Sequence, residues 1–213
     1  MKNIADIRTD YMLKSFDEKD AKANPFDQFD IWWQDAITSN IDEVNALNLC
    51  TVNADGKPSG RIVLLKGYDR NGFVFFTNYQ SRKGQELLTN PYACMIFFWK
   101  ELERQVRIDG RIEKVSSEEN DTYFFSRPEG SQVGAWSSPQ SSVIENRQVI
   151  EDNVKHYQEV FSNKPITRPP HWGGYRLIPS QIEFWQGRSS RLHDRLQYSL
   201  TEDGNWQLVR LAP

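Results

Sequence analysis

The chain has 213 residues, and 26 lysines and arginines against 29 aspartates and glutamates leave a formal net charge of −3. With 38% hydrophobic and 13% aromatic residues it has the material for one ordinary domain with a core, and its composition excludes a disordered, collagenous or disulfide-stapled chain. A nearly balanced charge argues against general nucleic-acid binding while leaving room for a local basic pocket that takes a small anion.

The longest apolar run, residues 93–99, falls far short of the roughly 18 residues a membrane helix needs. The charged N-terminal stretch lacks the apolar segment of a secretory leader, so a cytoplasmic protein with no membrane partner is expected. Residues 1–24 read as a mobile arm that folds over something, and residues 25–213 as a single domain. Pro25 opens a helix in which Phe26, Phe29, Trp33 and Ile37 recur at three- and four-residue spacing, predicting one buried stripe. From about Ala46 the period changes. ALNLCTV, RIVLLKGY and FVFFTN follow one another between the turn signals Asp55-Gly56 and Asn71-Gly72, which predicts antiparallel hairpins. A short helix starts near Ser81. More strands come in YACMIFFWK, RQVRIDGRIEKV, WGGYRLIP, IEFWQG, LQYSL and NWQLVRL, and a long amphipathic helix is predicted over about 141–162. Many short strands with a few flanking helices predict a mainly β, α+β fold, an antiparallel closed or split β-barrel. Cys50 and Cys94 sit inside strand-like segments and read as buried free thiols. The scattered His156, His171 and His193 predict no metal site.

Four segments carry chemistry. In Arg61-Ile-Val-Leu-Leu-Lys66 the apolar centre requires both faces to be covered, either as a central strand with solvated ends or as a strand between core and a subunit interface or flat ligand. In Thr77-Asn-Tyr-Gln-Ser81-Arg82-Lys83, cations in a first helical turn oppose the helix dipole unless an anion offsets them, which points to a phosphate. Tyr123-Phe-Phe-Ser126-Arg127-Pro128 through Ser131 and on to Trp136, followed by Gln140-Ser141-Ser142, reads either as an irregular connection or as a loop holding a phosphate ester through Tyr123, Arg127 and Ser131. Finally, if residues 191–195 are extended, Arg191, His193 and Arg195 project from one face, where they repel unless an anion or electron-rich ring lies between them.

Taken in order, RIVLLK, TNYQSRK, LERQVRIDG, YFFSRPEGSQVGAW, QSS, IEFWQGRSSRLHDR and the terminal RLAP resemble the pyridoxine/pyridoxamine 5′-phosphate oxidase family. The resemblance implies an FMN-binding split-barrel homodimer with FMN at the subunit interface. It implies cofactor binding by Arg61, Ile62, Val63, Leu64, Leu65, Lys66, Phe76, Thr77, Arg82, Lys83, Gln105, Gln140, Ser141, Trp185 and Arg195. It also implies that the substrate phosphate rests on Lys66, Tyr123, Arg127 and Ser131, and that Arg191, Leu192 and His193 face the pyridine ring, with Arg191 and His193 as the catalytic pair. Arg8, Thr9, Asp10 and Tyr11 then close over it as a lid. The implied reaction is hydride transfer from pyridoxamine 5′-phosphate or pyridoxine 5′-phosphate to FMN, with O₂ reduced to hydrogen peroxide, forming pyridoxal 5′-phosphate. The alternative is a non-catalytic split-barrel carrier of flavin or pyridoxal phosphate.

Overall fold

Pro25 at the first helical position, with the Asn24 side chain accepting from the Phe26 N–H at 2.9 Å, starts α1 (Pro25–Thr38) where the sequence places it. The computed structural model describes residues 3–7 and 9–213, and in it the buried stripe of α1 is Phe26, Phe29, Trp32 and Ala36. This corrects the expected stripe, since Trp33 is half-buried and Ile37 is 44% exposed. Three- and four-residue spacings describe two adjacent ridges, and the sheet beneath selects between them. Trp32 meets Phe184 edge-on at 5.1 Å and Phe16 at 5.2 Å, while Phe29 sits among Tyr68, Phe73 and Phe97 at 4.8 to 5.5 Å.

The strands are β1 (Ala46–Val52), β2 (Pro58–Leu64), β3 (Gly67–Asp69), β4 (Gly72–Asn78), β5 (Tyr92–Trp99), β6 (Arg104–Lys114), β7 (Trp172–Gln186), β8 (Asp194–Leu200) and β9 (Trp206–Leu211). All pair antiparallel in the order β2-β1-β5-β6-β7-β4-β3, with β8 and then β9 attached to β7. The 15-residue β7 makes the split: its first part pairs with β4 from Trp172 to Leu177, its last part with β8 from Gln181 to Gln186, and β6 follows both across a bulge at Asp109/Gly110. The chain itself closes the ring, because β2 continues through Lys66, whose N–H donates to the Val74 carbonyl at 2.8 Å, into β3. The result is an antiparallel split barrel with flanking helices.

Alternation sends Leu47, Leu49, Met95, Phe97, Val106, Ile108, Ile182 and Phe184 inward. On the opposite face Ile62, Tyr92 and Phe98 are 68%, 64% and 53% exposed. The RIVLLK strand is thus covered on one face only within a single chain. Cys50 and Cys94 are half-buried rather than buried and face each other across the β1–β5 pairing.

Two further expectations change. The segment read as an irregular connection is helical, forming α3 (Ser117–Ser126) and α4 (Glu129–Ser137) either side of Pro128. The long helix is shorter than expected: α5 spans Gln148–Val160, and the left-handed backbone of Ser141 (φ 72°) keeps that residue out of a helix. Between β4 and β5 lies α2 (Arg82–Thr89), capped by Ser81. Among the described residues no helix is long and apolar enough to cross a membrane.

Phe29→Ala is expected to lower the unfolding free energy by about 3–5 kcal/mol, whereas Ile37→Ala costs at most about 1 kcal/mol. Urea denaturation at fixed protein concentration checks both, and comparable losses would contradict the observed stripe.

Candidate active site

A cavity of about 780 Å³ opens between β2, β4, the start of α2 and the α3–α4 pair. It gathers most of the residues singled out from the sequence: Arg61, Ile62, Val63, Leu64, Lys66, Phe76, Thr77, Arg82, Lys83, Gln140 and Ser141, together with Tyr123, Arg127 and Ser131. Leu65 is not among them. Its side chain is in the core, and its N–H donates to the Asn45 carbonyl.

The cations at the start of α2 are held from several sides. Lys83 is buried, its Nζ donating to Thr77 Oγ1 at 3.1 Å and to Gln140 Oε1 at 3.2 Å. Burial, followed by the charge of Arg61, pushes the Lys83 ammonium down to about 8, against the pull of Glu86. Arg61 donates to the Leu49 carbonyl at 2.9 Å, to Ser59 Oγ and to Glu86 Oε2 at 3.2 Å. Arg82 donates to Glu86 Oε1 at 2.9 Å. Glu86, 5% exposed, therefore fixes two cations with one carboxylate. Burial alone would raise its pKa, but hydrogen bonds from Ser59, Thr51 and Arg82 and the charge of Arg61 hold it down at about 2. The sequence reading missed Glu86, although its position four residues after Arg82 in a helix was a legible pairing signal.

Arg127, at the α3–α4 junction, has no carboxylate partner among the described residues. Its NH1 is buried without an acceptor, and burial shifts its pKa down. Leaving a buried donor unmet costs about 1–3 kcal/mol, and other atoms of Arg127 line the cavity. The donor chemistry on both sides of the cavity thus fits phosphate esters.

The remaining predicted residues lie elsewhere. Gln105, Trp185 and Arg195 form one line across β6, β7 and β8, as Gln105 pairs with Trp185 and Trp185 with Arg195. Arg195 donates to Glu183 Oε1 at 2.7 Å. Thr9, Asp10, Tyr11, Arg191 and His193 line a second cavity of about 480 Å³, while Leu192 is exposed outside it. Arg8 lies outside the described residues.

The expected extended run of residues 191–195 is corrected. Ser189–Arg191 is a one-turn 3₁₀ segment with Ser190 and Arg191 in the left-handed region (φ 55° and 62°), and β8 begins only at Asp194. Strict alternation therefore does not apply. The turn is held by side chains: the Ser190 N–H donates to Asp10 Oδ1 at 3.2 Å, and the Arg188 N–H donates to His193 Nδ1 at 3.1 Å. Asp194 is also a partner rather than a bystander, receiving Arg188, Arg210 and the Phe16 N–H at 2.8 to 3.0 Å. Burial and the charge of Arg191 lower the His193 pKa against Asp194, which favours the neutral ring. The N-terminal arm is anchored here as well. Phe16 is in the core, and Tyr11 packs edge-on against Trp185 at 5.8 Å. That approach needs Gly187, where any Cβ would press into the Tyr11 ring.

Fold and cavity together define a split-barrel protein with a cation-lined pocket. The chain belongs to the pyridoxamine 5′-phosphate oxidase family: the family profile described as pyridoxamine 5′-phosphate oxidase matches residues 33–161, and that described as the pyridoxine 5′-phosphate oxidase C-terminal dimerisation region matches residues 172–213. Pyridoxine/pyridoxamine 5′-phosphate oxidase of Trichormus variabilis is 55% identical over 212 residues, covering 100% of this chain and 99% of the relative. The same-named protein of Burkholderia mallei is 56% identical over 215 residues, covering 100% of both. Among solved structures, PhzG from Burkholderia lata in complex with tetrahydrophenazine-1-carboxylic acid superposes with a TM-score of 0.85 at 30% identity, covering 92% of this chain and 95% of that one. An FMN-binding, pyridoxamine 5′-phosphate oxidase-related protein of Nostoc punctiforme shares the fold, with a TM-score of 0.72 at 19% identity over 91% of this chain and 100% of that one. These likenesses make the chain an oxidoreductase.

Because burial lowers the Lys83 pKa to about 8, binding of an anion that needs the ammonium requires Lys83 to take up a proton above that pH. Affinity for a phosphate monoester is expected to weaken as pH rises through 8, by up to about tenfold per pH unit. Lys83→Met should bind more weakly but without that slope. Calorimetry in buffers of different ionisation enthalpy checks this, and a flat pH profile in the unsubstituted protein would contradict it.

Proposed function

We propose that the protein is an FMN-dependent oxidase that makes pyridoxal 5′-phosphate from pyridoxamine 5′-phosphate or pyridoxine 5′-phosphate in the cytoplasm. The observation that carries this reading is that one cavity holds two separate cationic sets, Arg61, Arg82 and Lys83 at the start of α2 and Arg127 at the α3–α4 junction. Two phosphate esters, one on the cofactor and one on the substrate, match two such sets. The relatives' shared name and the FMN-binding fold neighbour support the same reading.

In this reading Arg61, Arg82 and Lys83 hold the FMN phosphate, while Ile62, Val63, Leu64, Lys66, Phe76, Thr77, Gln140 and Ser141 hold the rest of the cofactor. Lys66, Tyr123, Arg127 and Ser131 hold the substrate phosphate. What FMN supplies when bound is two-electron redox chemistry, with dioxygen as final acceptor. Pyridoxamine 5′-phosphate, O₂ and water give pyridoxal 5′-phosphate, ammonia and H₂O₂; pyridoxine 5′-phosphate and O₂ give pyridoxal 5′-phosphate and H₂O₂. The protein's part is orientation and exclusion of water. Arg191 holds the substrate ring by charge, the neutral His193 offers a polar contact without acting as a strong base, and Asp10 and Tyr11 close the site by packing on the 187–193 turn.

The proposal includes a homodimer with each site built from both chains. Three observations support it: the Arg191–His193 cavity is separate from the phosphate cavity within one chain, apolar Ile62 and Phe98 are exposed on the outer face of the sheet, and the C-terminal match is to a dimerisation region. The likeness to PhzG favours a second reading, oxidation of a fused-ring carboxylate. Such a ligand has no phosphate for Arg127, which ranks this reading below the first.

Anaerobic titration of the FMN-loaded protein with pyridoxamine 5′-phosphate is expected to bleach the flavin band, and admission of air to restore it with pyridoxal 5′-phosphate appearing. A bound flavin that stays oxidised with both phosphorylated substrates would overturn the oxidase reading in favour of a carrier.

A further inference from the structure

Arg127 is held in an unusual way for a half-buried cation. Among the described residues no carboxylate pairs with it. Instead its guanidinium lies 4.6 Å from the centroid of the Trp172 ring and 5.8 Å from that of Phe124. Trp172, only 7% exposed, is the outer member of an aromatic stack. It is nearly parallel to Phe76 (5.4 Å, 15°) and to Tyr123 (6.1 Å, 11°), and Phe76 and Tyr123 are themselves stacked at 4.0 Å. The tryptophan is fixed by β7, which pairs Trp172 with Asn78, and by Arg168, which donates to its carbonyl at 3.0 Å.

Two ways of holding a buried arginine have opposite consequences for an anion. A carboxylate neutralises the guanidinium and occupies the donors a phosphate would use. An aromatic face attracts the cation through its quadrupole while leaving the N–H groups in the guanidinium plane free. The buried, unmet NH1 of Arg127 is the expected result of the second arrangement. Trp172 also backs the ring of Tyr123, so one side chain orients two of the groups that face the same part of the cavity.

We infer that Trp172 is a positioning residue for recognition of the substrate's phosphate monoester, acting through Arg127 and Tyr123. The inference rests on the proposed assignment of those two residues to the substrate phosphate. It adds that affinity for the phosphate depends on an aromatic platform, so the residue at 172 must be a flat ring rather than merely apolar. The nearby set around Lys83 does not share this dependence, because hydroxyl, amide and carboxylate oxygens hold its cations.

The test uses the FMN-loaded protein and a pair of unreactive probes, 4-deoxypyridoxine 5′-phosphate and its unphosphorylated parent, with binding read by calorimetry. The unsubstituted protein is expected to bind the phosphorylated probe far more tightly. At saturating FMN, Trp172→Leu should weaken the phosphorylated probe about tenfold while leaving the parent unchanged, and Trp172→Phe should recover most of the loss. In turnover, the leucine variant should raise KM with little change in kcat. Equal affinity of the leucine variant and the unsubstituted protein for the phosphorylated probe would overturn the inference, as would parallel losses for both probes or a phenylalanine variant no better than the leucine one. If the unsubstituted protein itself fails to distinguish the two probes, the assignment of the substrate phosphate fails, a result distinct from failure of the platform. Should Trp172→Leu not fold, the phenylalanine variant and Trp172→Tyr keep the test alive: both must retain the preference for the phosphorylated probe, and its loss in both would refute the platform.

Discussion

The strongest constraint on this structure is the positive charge gathered around one cavity with, among the described residues, a single carboxylate, Glu86, pairing with it. Lys83 is buried, Arg61 and Arg127 are half-buried, and Glu86 pairs with Arg61 and Arg82, acts on Lys83 only through its charge and forms no ion pair with Arg127. Cations withdrawn from water without counterions raise the energy of the empty protein. The strands bear that cost because they also carry the core: Leu49, the cross-strand partner of Arg61, and Phe75, next to Phe76, are fully buried, while Thr51 accepts a hydrogen bond from Arg61. In the proposed reading an entering phosphate recovers the cost, which ties stability of the fold to occupancy of the site.

The second constraint is incompleteness. One chain offers a cation-lined cavity at one place and, at another, the Arg191–His193 turn with the arm packed on it. The sheet that separates them carries exposed Ile62, Tyr92 and Phe98, the kind of surface a second copy covers. Asp194 joins the N-terminal arm, the 188–193 turn and the last strand through its bonds to Phe16, Arg188 and Arg210. A movement of the arm is therefore mechanically coupled to the turn and to the C-terminal strand.

How far the sequence could be read depended on the range of the interactions involved. The hairpins, the Pro25 helix start and the Ser81 cap are local, and turn and capping chemistry located them. The conflict of Arg82 and Lys83 with the helix dipole was also local, and it pointed to the cavity. What could not be read depended on partners distant in the chain. The buried ridge of α1 was selected by Phe184 and Phe97, and the 191–195 segment left extended geometry because Asp10, far away in sequence, caps a left-handed turn. The alignment of Gln105, Trp185 and Arg195 followed from strand register, which no single segment encodes. Nothing in the predicted strand WGGYRLIP singles out Trp172, because its relation to Arg127 and Tyr123 exists only once α3 has packed on β7.

The central claim, that each site joins the cavity of one chain to the 191–193 turn of another, is tested most directly by subunit complementation. Arg127→Ala and Arg191→Ala chains, each inactive alone, are co-expressed with different tags and the mixed dimer is purified. In a shared-site dimer one of its two sites has both arginines intact, so the mixed dimer should recover roughly half the turnover of the unsubstituted enzyme. Sites confined to single chains would leave the mixed dimer as inactive as its parents, and that result would contradict the account.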